Sequence, residues 1–95
     1  MFKDILVSEA LEIVKQGGVI ILDVRTAQEF NEGHFPHAIN IDFYADDFEE
    51  KLDKLNRGKL YLVHCHSGGR STKTVRLMEQ MGFKDGFNLK GILFD

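Results

Sequence analysis

The chain has 95 residues, 28% of them charged, with a formal net charge of −3. That is enough for one domain with a modest core, and so slight an acidic balance gives no reason to expect a nucleic-acid partner. The single cysteine excludes an internal disulfide. No Cys/His cluster has zinc spacing, no leader pattern opens the sequence, and no apolar run nears the ~20 residues of a membrane span. A soluble, cytoplasmic protein of a reducing compartment, with no membrane partner, no metal and no cofactor, is the expectation.

In chain order, Phe2 to Val7 reads as a short first strand and Ser8 as the N-cap of a helix. Ala10, Leu11 and Val14 mark that helix's apolar face, and Gly17-Gly18 stops it. Val19 to Val24, VIILDV, is the β-branched run of a buried parallel strand. Its end sets Asp23 and Arg25 where the strand leaves the core. Thr26 caps a short helix through Glu32, anchored by Phe30. Gly33 to Pro36 punctuates a turn before a short strand, Ala38 to Ile41. His34 in that turn reads as a structural hydrogen-bonder rather than a base, and His37 as exposed. Asp46 to Leu55 has the clearest helical spacing, with Phe48, Leu52 and Leu55 on one face. Its acids lie early and Lys51 and Lys54 late, which suits the helix dipole and a solvated face rather than a metal site. Gly58 ends it.

Leu60 to Val63 is a short apolar run, read as a buried strand, that delivers Cys65 into the loop Cys65-His66-Ser67-Gly68-Gly69-Arg70. Ser71 to Met81 follows with Val75, Met78 and Met81 on helical spacing, closed by Gly82 as C-cap. Strand, glycine-rich loop and helix in that order aim backbone N–H groups and a helix dipole at one point. A thiol there is held as thiolate. Both glycines fit, because a cradle of inward amides needs backbone angles that side chains forbid. A buried core cysteine is the plain alternative, but it has no need of the Gly-Gly-Arg that follows. Arg70, at the loop's closing edge, suits an anion site. Phe87 to Leu89 makes a last strand before Gly91 and an apolar tail, Ile92 to Phe94. Alternating strands and helices imply an α/β fold with a parallel sheet covered on both faces. Ligands bind such sheets at the carboxyl ends of the strands, the edge where Asp23, Arg25 and Cys65 all fall.

These residues resemble a known family. LDVRTAQEFNEGHFPHAINI is similar to the rhodanese-domain pattern Asp-Val-Arg, Glu-Phe/Tyr and Gly-His-Ile-Pro-Gly-Ala-x-Asn. HCHSGGRS resembles the family's Cys-x-x-Gly-x-Arg-Ser loop, and GFKDGFNLKG its closing Gly-Phe-x-x-Val-x-x-Leu-x-Gly-Gly. The match runs from about Val7 to Gly91 in register. It implies a rhodanese-like domain over residues 1–95, a five-stranded parallel sheet with helices on both faces, and sulfurtransferase chemistry. Cys65 would take the outer sulfur of a small donor such as thiosulfate, become a persulfide, and pass the sulfur to a thiophilic acceptor: an external thiol or a protein such as thioredoxin. Arg70 and His66 would help neutralise the donor, and His66 and Ser67 would tune donor preference. Glu29 would pair with Arg70 and hold the loop. Lys73, one turn into the helix, is open to a donor-steering or a plain surface role.

Three departures stand out. His37 replaces a glycine, so that turn is expected to differ. Gly86 replaces a β-branched residue, an expected weakening of the last strand. After Gly91 the family's second glycine and Trp-containing helix are missing, which leaves the end of the fold frayed, completed by a partner or truncated, and its apolar tail a possible dimer contact. Two other functions compete. A phosphatase or arsenate reductase would carry one more residue between cysteine and arginine than the four present here, and a loop aspartate that this one lacks. A persulfide carrier or sensor serving one partner protein would need the same loop as the enzyme.

Overall fold

A computed structural model describes residues 1–94; Asp95 lies outside the described residues. Five strands are present: β1 (Phe2–Ile5), β2 (Ile20–Asp23), β3 (Ile39–Asn40), β4 (Tyr61–His64) and β5 (Gly86–Leu89). Four helices connect them: α1 (Val7–Gln16), α2 (Ala27–Glu32), α3 (Phe48–Asp53) and α4 (Gly69–Gln80). The strands form one sheet in the order β1-β5-β4-β2-β3, parallel at every pairing. This is the α/β architecture expected from the alternating pattern.

Side-chain alternation divides the core into two layers. Leu22, Tyr61, Val63 and Cys65 face one side and pack with Phe48 and Leu52 of α3, Val75 and Met78 of α4, and Phe83. Ile5, Ile21, Leu62 and Leu89 face the other, against Ala10 of α1, with Val7, Ile13, Val14 and Phe35 around them. The short α2 buries no residue fully and sits beyond the carboxyl end of β2. β2 and β4 lie inside the sheet and pair over four residues, Ile20 with Tyr61 through Asp23 with His64. Their last residues therefore reach the same edge, and the loops after them share one site.

The boundaries differ from the sequence reading in informative places. α1 starts at Val7 with Leu6 as N-cap, not at Ser8; the carboxylate of Glu9 reaches back to accept the Leu6 N–H at 3.3 Å. Leu11 is 46% exposed, and Ala10 with Val14 carries the buried face instead. β1 ends at Ile5, and β4 runs one residue further than expected, through His64. α4 opens at Gly69 and ends at Gln80, and Met81 takes the C-cap place expected for Gly82. The tail is no loose end: Leu93 is 9% exposed and packs with Ile5, Leu62 and Leu89.

Two of the departures resolve at the backbone. His37 holds φ at +66°, so it keeps the left-handed conformation that suits a glycine and carries the strain itself. Gly86 is no weak point, because it pairs with both Phe2 and Tyr61. A Cβ there would come within 2.8 Å of the Tyr61 carbonyl oxygen and closer still to the Phe2 ring. Only glycine fits between those two strands.

Candidate active site

Cys65 follows β4 directly and is 1% exposed, at the bottom of the loop that leads into α4. Its Sγ accepts the Gly68 N–H at 3.1 Å and the Ser71 N–H at 3.3 Å, with the Ser71 hydroxyl at 3.6 Å. Burial pushes the thiol up. Hydrogen bonds from the Ser71, Gly68 and Arg70 amides, with the contact to the Ser71 hydroxyl, outweigh it, and the net shift is down. An arrangement of this kind can hold a sulfur anion at a buried position.

The local sequence explains the shape. Gly68 takes φ +103° as the N-cap of α4, which turns its N–H toward the sulfur. Gly69 is an ordinary first helical residue without positive φ, so the expected need for two special glycines reduces to one. The Gly68 carbonyl then accepts from the Ser71 Oγ at 3.1 Å and the Thr72 Oγ1 at 2.7 Å, which pins the turn from behind. His66 and Ser67 are exposed at the loop's crest.

Arg70 points back over the edge to α2. Its Nη1 and Nη2 donate to Glu29 Oε1 and Oε2 at 2.8 and 3.2 Å. Glu29 also accepts the Thr26 N–H at 3.0 Å, while Thr26 Oγ1 accepts the Glu29 N–H at 3.1 Å. That reciprocal box caps α2 where Thr26 was read as the cap. Paired to Arg70, the Glu29 carboxyl is lowered to about 2. The expected pair is present, and it matches much of the Arg70 charge.

Asp23 and Arg25 form a second, buried pair. Arg25 Nε donates to both Asp23 oxygens at 3.0 Å and Nη2 donates to Oδ2 at 2.7 Å. Nη2 also donates to the Gly33 carbonyl at 2.8 Å, and Asn40 Nδ2 donates to the Asp23 and Arg25 carbonyls at 3.0 Å each. Both side chains serve the frame of the edge. His34 does the same: its Nδ1 lies 2.8 Å from the Phe30 carbonyl and its ring stacks on Phe30 with centroids 3.6 Å apart.

Three residues of the neighbourhood escape the sequence reading. His64 is fully buried, its Nε2 3.6 Å from Asp23 Oδ2 and without a hydrogen-bond partner. Burial pushes its imidazole down more than Asp23 raises it, so it stays neutral. Its signal was its place, directly before Cys65 and in register with Asp23. Glu32 and Phe94 are the others. They line, with Arg25, Glu29, Gly33 and His66, a cavity of about 260 Å³ beside the cysteine loop. Among the described residues no cluster could hold a metal ion, and no helix is long and apolar enough to cross a membrane.

Known proteins resemble this chain in sequence and fold. The family described as the rhodanese-like domain matches residues 6–93. A thiosulfate sulfurtransferase GlpE from Coxiella burnetii is 33% identical over 92 residues, covering 96% of this chain and 83% of its own length. A putative sulfur carrier protein, YrkF, from Bacillus subtilis is 35% identical over 69 residues, which span 73% of this chain but 36% of that protein. Among solved structures, a rhodanese-like domain protein from Staphylococcus aureus superposes with a TM-score of 0.82 at 30% identity, covering 97% of this chain and 88% of the other.

Proposed function

The chain belongs to the rhodanese-like domain family, and from that premise we propose that it is a single-domain sulfurtransferase working through a persulfide on Cys65. The observation that carries this reading is a buried sulfur that accepts two backbone N–H groups and whose thiol is lowered despite its burial. The Cys65 thiolate attacks the outer sulfur of thiosulfate. A new S–S bond forms at Sγ, the donor's own S–S bond breaks, and sulfite leaves with that electron pair. The persulfide anion inherits the amide cradle. A thiolate acceptor then attacks the outer sulfur, takes it as a persulfide, and releases Cys65 as thiolate. No external oxidant or reductant enters.

In this scheme the amides of Gly68, Arg70 and Ser71 supply the cradle, Gly69 opens the helix behind it, and His66 and Ser67 meet the donor at the crest. Arg70, tied to Glu29, shapes the loop more than it binds the donor. Asp23 and Arg25 support the edge. With one cysteine, the persulfide is resolved from outside, by a small thiol or a protein thiol such as that of thioredoxin in a reducing, cytoplasmic setting. The resemblance to a putative sulfur carrier supports a second reading, a carrier that hands its sulfur to one partner protein. Transfer to many small thiols favours the enzyme; transfer to a single protein favours the carrier.

The test is to weigh the reduced protein intact after incubation with thiosulfate. A gain of about 32 Da, discharged by cyanide with thiocyanate formed and absent from Cys65→Ser, is expected for covalent catalysis by this thiol. No gain from thiosulfate or polysulfide would overturn the persulfide mechanism.

A further inference from the structure

The cavity beside the cysteine loop has a charge pattern that the transfer mechanism does not use. Four of its six lining residues are committed elsewhere or carry no charge. Arg25 is matched by Asp23, Glu29 by Arg70, and Gly33 and Phe94 supply backbone and an apolar wall. Glu32, at the end of α2, has no cationic partner among the described residues. The cavity therefore presents an unmatched carboxylate in a lining that also includes His66, the residue next to the nucleophile.

The wall is fixed. Phe94 lies on Gly33 so closely that a Cβ at Gly33 would come within 2.6 Å of its Cε2, and its ring centroid is 5.6 Å from the Arg25 guanidinium carbon. Arg25 is in turn anchored to Asp23 and to the Gly33 carbonyl. A small molecule in this cavity has an apolar ring, a carboxylate and the crest residue His66 around it. We propose that the Glu32–Phe94 cavity is the acceptor subsite, and that it selects small aminothiols, whose ammonium is held by Glu32 while the methylenes lie on Phe94, over thiols of the same length that end in a carboxylate. The inference rests on the sulfurtransferase reading for the acceptor role, but not for the charge preference of the cavity. In the transfer step the aminothiol thiolate attacks the outer sulfur of the Cys65 persulfide, the S–S bond breaks, and Cys65 leaves as thiolate; the ammonium takes no part in the bond changes.

Two measurements test it. The first needs no persulfide: Cys65 is modified with 2-aminoethyl methanethiosulfonate and with its 2-sulfonatoethyl counterpart, and each rate is divided by the rate with free 2-mercaptoethanol. The expected result is a preference for the ammonium reagent that shrinks by roughly three- to tenfold in Glu32→Gln, the effect of one carboxylate a few ångströms from the probe at a partly solvated site. An unchanged ratio in Glu32→Gln overturns the assignment. The second compares discharge of the loaded persulfide by cysteamine and by 3-mercaptopropionate, in the wild type and Glu32→Gln. The ratio of ratios cancels the differing thiol basicities and is expected to move in the same direction by a similar factor. If thiosulfate and polysulfide load nothing while the first measurement shows the preference, the cavity assignment stands and the sulfur-transfer reading falls. If loading succeeds and both ratios stay fixed, the reverse holds.

Discussion

Glu29 serves two elements with one carboxylate, closing the box that starts α2 and holding both terminal nitrogens of Arg70. Its folded-state value of about 2 lies below the ordinary 4.5, so the pair contributes stability above pH 4.5 and loses it as pH falls toward 2. With the carboxylate 32% exposed, solvent screening reduces that contribution to about 1–2 kcal/mol. Glu29→Gln is therefore expected to unfold at lower urea concentration at neutral pH, and the gap from wild type should close between pH 4.5 and 2. The same variant is expected to load sulfur more slowly, since Arg70 and with it the closing edge of the cysteine loop lose their anchor. Equal urea midpoints across that pH range would show that the contact adds nothing to stability. The buried Asp23–Arg25 pair lies at the other extreme: removing one partner would leave a charge without a counter-ion at a cost of about 3–5 kcal/mol.

At the scale of elements, two backbone positions make opposite predictions. His37 stands in a left-handed conformation that costs a side chain about 1–2 kcal/mol, part of which glycine returns as unfolded-state entropy. His37→Gly is expected to stabilise the fold by about 0.5–1 kcal/mol, read as a small rise in melting temperature. Gly86→Val is expected to destabilise it by about 2–4 kcal/mol, because the Tyr61 carbonyl is main chain in a ladder and cannot give way. A valine variant with the wild-type melting temperature would mean that β5 pairs differently from the register described. Much of this layer was legible beforehand. VIILDV and LYLV announced the two interior strands by composition, and Thr26 announced the cap of α2 by its residue type. Other features had no such signal. Whether Ser8 or Leu6 caps α1 depends on which way Glu9 swings, and which of two adjacent glycines turns left-handed depends on where α4 begins. His64, one residue past the apolar run, drew no reading because nothing in one dimension reveals that Asp23 lies beside it.

The molecule as a whole places its reactive edge where two core layers meet, with α3 and α4 on one side and α1 on the other. The tail belongs to the second layer, and this was the least legible part of the chain, since an apolar tripeptide has no periodicity to read. Leu93 fills a place against Ile5, Leu62 and Leu89, so Leu93→Ala is expected to cost about 2–3 kcal/mol, measured by urea denaturation. Because Phe94 follows on the same stretch and walls the cavity, that variant should also weaken the discrimination between charged thiols. A loss of stability with discrimination intact would show that Phe94 is held by Arg25 and Gly33 alone.

The pairing of the first strand with the last has a consequence in time. Asp4 and Asn88, bonded side chain to side chain, lie 84 residues apart. During synthesis at about 5–20 residues per second, β1 waits roughly 4–17 s for its only neighbour in the sheet. Until β5 is made, β4 also lacks one of its two partners, and the loop that closes over Cys65 has no finished edge to rest on. Cys65 itself is made late in that interval, so a nascent chain would hold this thiol in an open loop for roughly 1–5 s before β5 is complete. The order of the strands makes the arrival of β5 the moment at which the cysteine is sheltered.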